Sequence, residues 1–66
     1  MCYGIYDKKS ENLIFSNLPG ETTYAIIGEL LAGSSDKERY EIVIAAADDT
    51  YRSASTGKLV IVKRVL

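Results

Sequence analysis

The chain has no histidine and no tryptophan, and only one cysteine, one proline and one phenylalanine. Each shortage excludes something. Without histidine, the commonest general acid–base group of enzymes is missing. Cys2, being alone, cannot close an internal disulfide. Cys2 with carboxylates is a poor ligand set for zinc, so neither a metal nor another cofactor is expected. No apolar run approaches the ~18 residues of a membrane span. The opening Met1-Cys2-Tyr3-Gly4-Ile5-Tyr6-Asp7 lacks the basic region and apolar stretch of a signal peptide. With the lone cysteine, this makes the cytoplasm the expected location. Eight basic and nine acidic residues leave a net charge of -1, too weak a field for a protein that coats DNA.

What remains is ordinary globular composition, 47% hydrophobic and 26% charged, which separates the chain from disordered sequences. Its 66 residues give room for one domain, 1–66, and one core. A chain this short buries only about 60% of its unfolded surface. With disulfide and metal set aside, extra stability must come from a tight core or from a second subunit.

The pattern along the chain predicts α+β. Cys2 to Tyr6 reads as a strand, Asp7 to Asn12 as a polar turn, and Leu13 to Phe15 as the returning strand of a hairpin. Ser16-Asn17-Leu18-Pro19-Gly20 breaks the chain. From Glu21 to Ala32 the apolar spacing is helical, with Thr23, Tyr24, Ile26, Ile27, Leu30 and Leu31 on one face. Thr22 or Thr23 is the expected N-cap, and Gly33 the expected left-handed residue past the helix end. Arg39 to Ala47 alternates as a strand. Asp48 to Gly57 reads either as a loop or, through Thr50 to Ser53, as a strand extension before a turn at Ser55-Thr56-Gly57. Lys58 to Val65 reads as a last strand, apolar on both faces, pairing with the preceding strand. The expected fold is a small ββαββ domain with one helix packed on a four-stranded, mainly antiparallel sheet.

That fold has an apolar surplus. One helix covers one face of a sheet, and the other face should then be polar. Instead Val43, Ala45, Ala47, Val60 and Val62 make it apolar. Either the chain's own loops cover this face or another subunit does. On the back of the helix, Ala25, Gly28 and Ala32 form a small-residue stripe that would admit a close neighbour. Together these residues predict a non-catalytic interaction or regulatory module that works by binding, as a homodimer or larger assembly.

Two other classes have candidate residues. Tyr51, Arg52, Lys58, Lys63 and Arg64 supply the cations and the stacking ring of a small nucleic-acid-binding protein. Near-neutral overall charge argues against it, and terminal cations also protect strand edges. An enzyme would have to use Cys2 as an N-terminal nucleophile after loss of Met1, or Asp48-Asp49 as ligands of Mg²⁺ and phosphate. An Asp pair between strands is more often a turn former. Ser55-Thr56-Gly57-Lys58 shares the end of a phosphate-binding loop, but Arg52 stands where its first glycine belongs and Leu59 where its hydroxyl residue belongs.

Overall fold

The computed structural model describes residues 2–47 and 50–65, residues 64 and 65 by their backbone. The elements are β1 (Tyr3–Asp7), β2 (Asn12–Leu18), α1 (Gly20–Ala32), β3 (Tyr40–Ala47), β4 (Thr50–Ser53), β5 (Leu59–Val60) and β6 (Arg64–Val65). The sheet order is β5-β4-β3-β1-β2-β6. Neighbours from β5 through to β2 are antiparallel, and β6 runs parallel to β2. This is the expected small α+β domain, one helix on an antiparallel sheet, with more strands than the four expected. Thr50 to Ser53 forms a strand of its own. The expected final strand breaks into β5 and β6, and β3 turns back on β4 rather than on that last segment.

The β1–β2 hairpin is set by its turn. Glu11 takes the left-handed conformation at φ 59, and its N–H donates to the Asp7 carbonyl at 2.8 Å. The Asp7 carboxylate accepts the Lys9 N–H at 3.0 Å, as Asp does in turns. Asn17, at φ 57, lies in a stretch where the β1–β2 register slips, so β2 runs through the expected breaker as far as Leu18.

Pro19, extended at φ -69 and ψ 153, then occupies the N-cap position of α1 with no side-chain cap. Neither expected threonine caps. Thr23 lies a turn inside the helix, fully buried, and its hydroxyl donates back to the Pro19 carbonyl at 2.9 Å. At the other end Gly33 has φ -89, so it is not left-handed. The helix closes instead through Gly33 N–H to Glu29 O and Ser34 N–H to Leu31 O, both at 3.2 Å.

The register of β1 against β3 separates two faces. Tyr3, Ile5, Ile42 and Ile44 share one; Gly4, Tyr6, Glu41 and Val43 share the other. The helix lies against β1 and β3 on the first face, where Gly20 backs onto the Tyr3 ring and Ile5 is fully buried. On the second face Tyr6, Leu13 and Val43 are buried together, with Tyr51, Val60 and Val62 packed against them.

Chain geometry explains how the second face is covered. β5 and β6 are at opposite edges of the sheet, yet only residues 61–63 join them. A flat sheet of this order would hold them about 24 Å apart, at ~4.8 Å per strand. The joining residues span at most about 14 Å even when fully extended. The sheet therefore curls, bringing its edges toward each other with Tyr6, Leu13 and Val43 inside. Register slips in β1–β2 and β3–β4 supply local bending. Of the two covers expected for the apolar face, the chain supplies its own over Val43: this part is the inside of a barrel-like curl where Val60 and Val62 pack, while Ala45 and Ala47, farther along β3, stay exposed.

Candidate functional site

The seam where the curled edges meet is built from both ends of the chain. Tyr6 projects inward from β1, and its hydroxyl donates to the Ile61 carbonyl at 2.7 Å. The Lys63 N–H donates to the Glu11 carbonyl at 2.9 Å, and the Lys63 ammonium pairs with the Glu11 carboxylate at 3.0 Å. Beyond that, Asn12 and Leu13 pair with Arg64 and Val65. Burial, and next the negative Glu11, push the Tyr6 hydroxyl pKa up, with Lys63 partly opposing them. The phenol thus stays protonated and able to donate. Alternation fixes the rest of the segment. Val60 and Val62 face the core cluster, while Leu59 and Ile61 remain 60% and 77% exposed.

A second concavity, of about 370 Å³, opens between the helix and the sheet. Its lining includes Tyr24, Ile27, Tyr40, Ile42, Ala54 and Ser55. On the inner face of the sheet the Ser53 hydroxyl donates to the Glu41 carboxylate and accepts the N–H groups of Ser55 and Thr56, each at 3.3 Å. Ser53 is buried and its bonds hold the β4–β5 turn, with Gly57 at φ 75, so it is a turn builder rather than a nucleophile.

Asp7 is a buried carboxylate with full hydrogen bonding. Arg39 donates to it through Nε at 3.1 Å and Nη2 at 3.0 Å. The guanidinium is the main reason its pKa falls to about 2, against the opposing effect of burial. The pair ties the first hairpin to the entry of β3, and the Arg39 guanidinium also sits over the Tyr40 ring at 5.3 Å.

The candidate residues distribute as follows. Val43 is fully buried in the chain's own core, and Val60 and Val62 pack on that core, so these three are committed within the fold. Ala45 and Ala47 are exposed, as are Ala25, Gly28 and Ala32 on the outer side of the helix. A side chain at Gly28 would meet nothing within 4 Å, so no close approach within the chain requires a glycine there.

Of the nucleic-acid candidates, the described side chains take different places. Tyr51 packs inside the curl, Arg52 is on the opposite face with its guanidinium on the Gly57 carbonyl at 2.9 Å, and Lys63 is paired with Glu11. Lys58 is exposed, and the Arg64 side chain lies outside the described residues. Cys2 is exposed. Asp48 and Asp49 lie outside the described residues. Among the described residues, no group of three His, Cys, Asp or Glu side chains is placed to hold a metal ion.

Compared with protein-family models, with curated proteins and with solved structures, the chain matches none.

In Leu59-Val60-Ile61-Val62, apolar at all four positions, assigning Val60 and Val62 to the core sends Leu59 and Ile61 outward. The pattern carries that parity, but not which parity is inside.

Proposed function

We propose that this chain is a non-catalytic binding module that acts as a homo-oligomer, with its contact surface at the seam of the curled sheet. The observation that carries the reading is the exposure of Leu59 and Ile61, at 60% and 77%, two positions apart on one segment. A single exposed leucine is unremarkable. Two large aliphatic side chains on the same side of an edge segment form a patch that association would bury. The size of the chain adds weight. Ile5, Tyr6, Leu13 and Val43 are the buried hydrophobic residues among those described, a small core for independent stability.

Sedimentation equilibrium tests the reading directly. The expected result is self-association at micromolar concentration, weakened at least tenfold by the double substitution Leu59→Lys, Ile61→Lys. A single monomeric species at high micromolar concentration would remove the reading.

A further inference from the structure

Helix α1 packs chiefly on β1 and β3, and the concavity of about 370 Å³ reaches past it to the end of β4. Ile42 and Ala54 line it from the sheet, joined by the Ala54 N–H on the Ile42 carbonyl at 2.9 Å. Tyr24 and Ile27, three residues apart and so on one side of the helix, line it from above. Packed interiors leave few gaps larger than a water, so a hollow of this size is no packing fault. It falls among small-molecule sites, about 300–1,000 Å³, which are apolar with a few polar groups. Tyr24 belongs to the apolar side of the helix, yet at this hollow its ring remains 63% exposed.

The charged rim narrows the ligand. Lys8, Lys37, Glu38 and Glu41 also border the hollow. Two of these are engaged: the Lys37 ammonium donates to the Leu31 carbonyl at 2.6 Å, and the Glu41 carboxylate accepts from Ser53. Among the described residues, the Lys8 ammonium and the Glu38 carboxylate have no hydrogen-bond or ion-pair partner. One unpaired cation and one unpaired anion thus border an apolar hollow that also holds the phenol rings of Tyr24 and Tyr40.

We propose that this hollow binds a free aromatic amino acid, with its ring against Tyr24 and Tyr40, its carboxylate on Lys8 and its ammonium on Glu38. The ring gains burial and aromatic contact. The zwitterion answers both unpaired charges at once. An aromatic acid leaves Glu38 unmatched, and an aromatic amine leaves Lys8 unmatched. The proposal is independent of self-association, since Leu59 and Ile61 do not line the hollow.

The test is titration of the ¹⁵N-labelled full chain with L-tryptophan, indole-3-propionate and tryptamine, each to about 10 mM. L-Tryptophan should give saturable amide shifts at Ile27, Ile42, Ala54 and Ser55. The two analogues, each lacking one charge, should bind about threefold to fivefold more weakly, the scale of one exposed ion pair. Lys8→Ala should abolish the advantage over tryptamine, and Glu38→Gln the advantage over indole-3-propionate. Tyr24→Ala should weaken all three ligands about twofold to tenfold. All three substituted positions are exposed, and the comparison of ligands on the wild-type chain needs no variant. No saturable shift, equal affinity for the three ligands, or shifts confined to the Leu59–Ile61 surface would overturn the proposal. None of these results bears on self-association, which sedimentation decides separately.

Discussion

Replacing Gly4 by alanine should destabilise the domain, and the structure sets the amount. Gly4 lies in β1 on the inner face of the curl. A Cβ there would come 2.6 Å from the Phe15 carbonyl oxygen, 3.1 Å from Leu13 Cδ1 and 3.4 Å from Val43 Cγ2. The first distance is about 0.8 Å short of ordinary contact, and the atom it meets is backbone. Leu13 and Val43 are fully buried and have no solvent to move into. Overpacking of this kind costs about 1–3 kcal/mol. Alanine also restricts the unfolded chain, which returns about 0.4–1 kcal/mol. The net expectation is a loss of about 1–2 kcal/mol, and for a domain of this size a fall in Tm of about 5–15 °C. Gly28→Ala is the internal comparison, since nothing lies within 4 Å of its Cβ position. There the helix gains about 0.8–1 kcal/mol and Tm rises. Circular dichroism melts of the three proteins at one fixed chain concentration measure both shifts. Gly4→Ala melting at or above the wild-type temperature would refute the close-packed inner face.

Acid should unfold the domain partly through Asp7. Its carboxyl pKa is lowered in the fold from 3.8 to about 2, so the stabilisation is complete above pH 4 and is lost as pH falls from about 4 to 2. The Arg39 side chain is 35% exposed, and screening there limits the effect to about 1–2 kcal/mol. Asp7→Asn should remove that amount at pH 7 and flatten the acid limb of urea midpoints; a wild-type Asp7 carboxyl titrating near 4 by NMR contradicts this. Tyr6→Phe deletes the hydrogen bond to the Ile61 carbonyl and should cost about 0.5–1.5 kcal/mol, with faster amide exchange at Lys63 than at Val43. The raised Tyr6 pKa also means that wild-type stability declines as pH rises through 10, the usual tyrosine value, and Tyr6→Phe should lack that decline.

The helix and the first three strands could be read from local rules, because each is decided within its own segment. Ile26, Ile27, Leu30 and Leu31 recur at helical spacing, and Tyr40 to Ala47 alternates without a breaker. The element boundaries depart from the local pattern where a tertiary contact overrides a local signal. Asn17 looked like part of a break, yet its tolerance of positive φ let β2 continue through it. Thr23 has the residue type of a cap, yet it is buried a turn inside the helix, where its hydroxyl donates to the Pro19 carbonyl instead of accepting a backbone N–H. Thr50 to Ser53 was ambiguous because Tyr51 and Ser53 face the inside while Arg52 faces out. With Glu41 and the turn amides satisfying Ser53, the segment behaves as a strand despite its polar composition.

The least legible feature was the curl, since it depends on the length of one connection between strands that are not sequence neighbours of their partners. A helix on a flat sheet would have left Tyr6, Leu13 and Val43 in water. Bending the sheet around them gives the chain an interior without a second layer, and that interior accepts only one parity of the closing segment. The alternating rule then divides Leu59-Val60-Ile61-Val62 between two destinations: Val60 and Val62 complete the core, while Leu59 and Ile61 have no partner surface within the fold. An apolar run on both faces thus has two separate causes here, burial for one parity and the proposed association for the other. Substituting lysine at the outward pair should weaken association with little loss of fold stability, whereas lysine at Val60 or Val62 should unfold the curl.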